Sequence, residues 1–194
     1  MATARQSGNP WQKLEDLGGS PPARLEPIIG DALASQLKAL EALFGKKLPG
    51  DYSDFLAWSR GRGVCFGWNT QVPAPEPYGS VGVNCLFGLN PDDSTSVQRQ
   101  TRSFQQRIPQ HLWIIGDDAG GNKICLRAED NSVYFWDHEV SNDRMATMKK
   151  LTVSFKALVE AMRSDRQPGE QRTAVPAGLK VPAIKRMGSG RKKG

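Results

Sequence analysis

Residues Leu112 to Glu139 read LWIIGDDAGGNKICLRAEDNSVYFWDHE, and this stretch decides the fold. Leu112 to Ile115 is a short apolar run. Gly116-Asp117-Asp118-Ala119-Gly120-Gly121-Asn122 then supplies consecutive turn residues. Lys123 to Arg127 alternates polar and apolar, Asp130-Asn131 marks a second turn, and Val133 to Trp136 holds strand-favouring side chains. Glycine takes positive φ without a Cβ penalty, while Asp and Asn tolerate it and hydrogen-bond nearby backbone. Three strands joined by two tight turns follow, a double hairpin with acids at its rim.

The 194 residues suffice for one domain with a real core, and 13 Pro with 20 Gly imply many loops. No apolar run reaches the roughly 18 residues a membrane helix needs, and no apolar segment near Met1 resembles a secretory signal. Cys65, Cys85 and Cys125 are far apart, odd in number and without a C-x-x-C pair. They read as small apolar core residues rather than a metal site or disulfide framework, and a cytoplasmic location is expected. The net charge of +6 is unevenly placed. From Arg166 onward eight bases face one acid, giving +7 and leaving −1 for residues 1–165.

Outward from the hairpins, residues 1–27 read as an extension with a short helix over Pro10 to Leu17, ended by Gly18-Gly19-Ser20-Pro21-Pro22. Leu33, Leu37, Leu40 and Phe44 form one helical stripe, with Asp31 placed to cap it and Gly45 to end it. A second helix restarts after Pro49-Gly50 with Tyr52, Phe55 and Leu56 on one face. Val64 to Trp68 reads as a strand, and Gln71 to Gly79, with Pro73, Pro75 and Pro77, as an extended surface loop. Val81 to Leu89 is a second strand-like run, followed by a turn or short helix from Pro91 through Phe104. After Glu139 a polar loop leads to a last helix from near Thr152, carrying Leu151, Phe155, Leu158, Val159 and Met162 at helical spacing. Residues 164–194 are Pro-, Gly- and base-rich with few large apolar side chains, so a disordered basic tail is expected. Helices, then strands, then a helix give an α+β class with a mainly antiparallel curved sheet.

Few constellations carry chemistry. Antiparallel pairing could bring Asp117-Asp118 and Asp137-His138-Glu139 to one sheet edge, where catalysis would need an acid of raised pKa or an oxygen-rich metal site. Turn chemistry accounts for the same residues without either. No nucleophile elbow and no phosphate loop is present: Gly116-Asp-Asp-Ala-Gly-Gly lacks the Lys-Ser/Thr, and two acids would repel phosphate. Between Asp117 and Asp143 seven acids face Lys123 and Arg127, a net −5 suited to a basic partner. Asp117, Asp118, Asp137 and Glu139 are therefore partner-contact candidates, with Trp136 a candidate interface aromatic beside them. Lys185, Arg186, Arg191, Lys192 and Lys193 could meet nucleic acid or an anionic surface electrostatically, without aromatic stacking.

Leu40-Glu41-Ala42-Leu43-Phe44-Gly45-Lys46-Lys47-Leu48-Pro49-Gly50-Asp51-Tyr52-Ser53-Asp54-Phe55-Leu56 resembles the E-x-x-x-G-x-x-L-P-x-D-Y-x-x-F-L signature of the SUKH superfamily, the Smi/Knr-like domains. Phe87-Gly88-Leu89, Ile114 to Asn122, Val133 to Glu139 and Ser154 to Leu158 are similar to its later motifs, in order. Ser59-Arg60-Gly61 stands where the family has Asn-Gly, and Leu158 where it has an aromatic. The resemblance spans Ile28 to Met162 and implies a domain over residues 28–163. It further implies no catalytic activity, no cofactor and no metal. Many bacterial members look like immunity proteins that neutralise a cognate toxin, often a nuclease; fungal members are regulators of cell-wall synthesis. The expected partner is thus a protein toxin. A regulatory scaffold, or a nucleic-acid-associated protein working through the basic tail, is the alternative.

Overall fold

The computed structural model describes residues 9–67, 69–109, 111–140 and 148–164. The double hairpin forms as its turns dictate: β5 (Leu112–Asp117), β6 (Lys123–Arg127) and β7 (Val133–Trp136) pair antiparallel. They are the middle of a six-stranded sheet ordered β1-β4-β5-β6-β7-β8, with β1 at Val64–Cys65, β4 at Cys85–Leu86 and β8 at Met148–Thr152. Register shifts between Ile114 and Gly116 and between Val133 and Tyr134 are bulge-like irregularities, which bend strands. A smaller sheet, ordered β3-β2-β9, holds β2 (Thr70–Pro73), β3 (Ser80–Gly82) and β9 (Arg163–Ser164). With five helices among the described residues, the class is α+β and mainly antiparallel.

The helices follow their stripes. Helix α2 (Gly30–Phe44) starts one residue before Asp31, which sits in the first turn instead of capping it. It ends on Gly45 at φ 63°, a conformation that costs glycine nothing. The corner to α3 (Gly50–Trp58) is tied by Glu41, whose carboxylate accepts from the Leu48 amide and from Lys47. Asp51 joins two helix starts: it accepts from the Tyr52 amide at 2.9 Å and from the Lys156 amide of α5 (Phe155–Ala161) at 2.8 Å. Phe155 is fully buried, its ring 4.9 Å from Tyr52, 5.0 Å from Phe55 and 5.8 Å from Trp11. Trp11 precedes α1 (Gln12–Asp16), whose Leu14 is also buried, so this helix before residue 28 contributes to the core. Helix α4 (Val97–Phe104) is capped by Ser96, whose hydroxyl accepts from the Arg99 amide.

Several expectations are corrected. Thr70–Pro73 is the middle strand of the small sheet, not part of a loop. Pro73 is tolerated because β9 pairs only with Thr70 and Gln71, leaving no ladder donor to supply there. The run from Val81 to Leu89 is two strands in different sheets, and the first strand stops at Cys65. The segment before Thr152, read as a polar loop, contains edge strand β8, whose Lys149 and Lys150 suit a sheet edge but hide it from pattern reading. Gly63 (φ 70°) and Gly88 let two backbones nearly touch: a Cβ on Gly88 would lie 2.4 Å from the Gly61 carbonyl oxygen. No helix among the described residues is long and apolar enough to cross a membrane.

The cysteine reading is overturned. Cys65 and Cys85 face each other across β1 and β4 and form a disulfide, while Cys125 is free and buried in β6. Pairing by strand register needs no short sequence spacing, so their 20-residue separation concealed it. A location inferred from unpaired cysteines loses its basis. Thiol titration should find no accessible thiol in the native chain, one after unfolding without reductant and three after reduction. Reduction should cost about 3 kcal/mol of unfolding free energy, as expected for a loop of this size.

Candidate functional site

The antiparallel register carries the acids of the central stretch to two opposite ends of the sheet. Lys123 pairs with Asp117 on β5 and with Trp136 on β7, so Asp117, Asp118, Asp137, His138 and Glu139 gather at one end. Glu129 and Asp130 lie in the β6–β7 turn at the other end, with Arg127 bridged to Asp130. Asp143 falls outside the described residues. The −5 segment is therefore no continuous rim.

At the first end three of the four carboxylates have a structural task. Asp118 closes the β5–β6 turn, accepting from the Asn122 amide at 2.9 Å and from its Nδ2 at 2.8 Å. That contact fixes the orientation of the Asn122 side chain, whose Oδ1 then accepts from the His138 amide at 3.1 Å. His138 Nδ1 lies 2.7 Å from the same oxygen, and an amide oxygen only accepts, so Nδ1 carries the proton. The acid turn and the end of β7 are thereby locked together through one asparagine. Asp137 accepts from the Tyr78 hydroxyl at 2.7 Å and from the Glu139 amide at 2.9 Å. Asp117 takes a 3.3 Å bond from Asn84 Nδ2 and lies 3.8 Å from Lys123 Nζ. Glu139 is exposed.

Burial and pairing set the protonation of these groups. Burial raises the Asp117 pKa, outweighing the opposing effects of the Lys123 ammonium and the Asn84 amide. Burial also pushes at Asp137, but the Tyr78 hydroxyl and backbone amides outweigh it and hold Asp137 below its ordinary value. Tyr78 is pushed up to about 12 by burial and by the Asp137 carboxylate. An acid with a raised pKa is thus present in Asp117, yet it is committed to Lys123 and Asn84.

Trp136, expected as a candidate interface aromatic, is buried within the chain at 4% exposed. Its ring meets Phe104 of α4 edge-on at 5.8 Å, and the Arg107 guanidinium lies 4.9 Å from its centroid. Lys123 is 6% exposed, its ammonium 4.9 Å from the Phe104 ring. Helix α4 thus covers this face of the sheet. Tyr78 and Asn84 escaped sequence reading because their partners lie 59 and 33 residues away. Among the described residues no cluster of three or more His, Cys, Asp or Glu is placed to hold a metal ion. Lys185, Arg186, Arg191, Lys192 and Lys193 lie outside the described residues, as does Trp68.

Comparison with known proteins places this geometry. The SMI1/KNR4 family (SUKH-1) matches residues 32–161. The SPbeta prophage-derived uncharacterized protein YokK of Bacillus subtilis (strain 168) is 30% identical over 124 residues, covering 55% of this chain and 62% of that protein. The chain therefore spans less than two thirds of that relative's length.

The Tyr78–Asp137 bond gives a signed pH effect. A carboxylate with a depressed folded pKa contributes stability above its unfolded pKa and loses it as pH falls through the folded value. Tyr78→Phe should therefore cost about 1 kcal/mol near neutrality, and less in acid. NMR titration of the carboxyl carbons should show Asp137 moving up towards its ordinary value in the variant and Asp117 staying raised.

Proposed function

This chain belongs to the SMI1/KNR4 family (SUKH-1), and from that membership we propose that it is a non-enzymatic binding protein that neutralises a cognate protein toxin. The resemblance of its motifs to bacterial immunity proteins supports this reading. The observation that carries it further is the locked carboxylate end of the sheet. Asp118, Asn122, His138, Asp137 and Tyr78 hold one another in place, so negative charge is presented on backbone that does not have to reorganise. Preorganised charge of one sign speeds and orients encounter with a surface of the other sign. A basic face on the toxin, such as a nuclease cleft, is the matching surface. Asp117, Asp118, Asp137 and Glu139 are its proposed contacts, with Trp136 as support beneath them.

Co-expression with a toxin encoded by a neighbouring gene tests the reading: cells carrying both should survive, and survival no better than with toxin alone would reject it. Glu139→Lys alters an exposed charge without touching the locked turn. It should slow association several-fold at low salt and much less at high salt. Removal of residues 166–194 should leave neutralisation intact; loss of function on that truncation would move the activity to the basic tail.

A further inference from the structure

At the opposite end of β5 from Asp117, beside Leu112 and Ile114, the last turns of α2 and α4 leave a groove of about 190 Å³. Its floor is apolar: Ile108, Leu112 and Ile114 are buried, and the half-buried Phe44 ring packs on Trp113 with 5.0 Å between centroids. The one hydroxyl in the wall is already used, Thr101 Oγ1 accepting from the Ile114 amide at 2.9 Å. The volume suits one ring- or leucine-sized group, since a dry cavity of about 150 Å³ takes up benzene. It falls short of the roughly 300–1,000 Å³ that cofactor-sized ligands occupy.

One charged side chain lines the groove, and it is a cation. Arg102 lines the groove and is exposed, and among the described residues its side chain makes no ion pair or hydrogen bond. Of the other arginines in this segment, Arg99 donates to the Asp92 carbonyl and Arg107 lies over Phe104 and Trp136, so Arg102 is the cation that lines the groove. The acid of the facing turn of α2, Glu41, is engaged by Lys47 and the Leu48 amide. An apolar slot beside a free guanidinium fits an apolar anchor with a carboxylate next to it, which the planar fork can take bidentately.

We propose that this groove is a second docking surface, taking one leucine- or phenylalanine-sized side chain of a partner protein flanked by Asp or Glu. It lies away from the locked carboxylates and does not rest on the toxin reading. Two short synthetic peptides test it on the full chain by amide NMR: one with a central Phe between Glu and Asp residues, one with the same Phe between Lys residues. The acidic peptide should shift the amides of Thr101, Arg102 and Ile114, and the basic peptide should not. Arg102→Glu, at an exposed position, should weaken the acidic peptide about tenfold or more and leave the rest of the spectrum in place. The proposal is overturned if neither peptide moves those amides, if both bind alike, or if Arg102→Glu leaves acidic-peptide binding unchanged.

Discussion

The structure depends on the register that sets Lys123 opposite Asp117 on one side and Trp136 on the other. Side chains alternate along a strand, so a slip of one residue would move every side chain of β6 to the opposite face of the sheet. In the observed register Ile124, Cys125 and Leu126 enter the core. Lys123 passes under Phe104 of α4, and both turns of the acid end close. A buried ammonium is tolerable there because a carboxylate lies 3.8 Å away and an aromatic face stands over it. Core, helix α4 and carboxylate end thus share one residue.

Around that centre the remaining elements are tied by long-range links. Asp51 bonds the starts of α3 and α5, the Phe155 ring gathers Trp11, Tyr52 and Phe55, and Cys65–Cys85 holds edge strand β1 to β4. Apart from the local Asp51–Tyr52 bond, these links join residues distant in sequence, and each fixes an element that is short by itself. Strands β1 and β4 have two residues each, too few to be held by their ladder alone.

This explains what was legible in the sequence. The central strands, α2 and α3 were readable because Gly, Asp and Asn at the turns and the leucine stripe are local signals with local causes. The burial of Trp136 could not be read because it shares its face of β7 with the half-buried Tyr134 and is closed over by Phe104 and Arg107, contacts that no local pattern marks. Strand β8 misled because Lys149 and Lys150 protect an edge. The disulfide and the Tyr78–Asp137 and Asn84–Asp117 bonds were invisible because they depend on register between distant strands and loops. At the site, proximity of the acids at one end followed from antiparallel pairing. Their division between two ends required knowing where each turn falls.

Two surfaces thus stand apart on one sheet: carboxylates locked at the end where β5 stops, and an apolar groove with Arg102 at its edge near where β5 starts. The first carries the neutralisation reading. Its most direct test is amide hydrogen exchange of the full chain, free and bound to the toxin it is proposed to neutralise. The account predicts slowed exchange across residues 117–122 and 137–140 in the complex. Binding without added protection in either segment would contradict it.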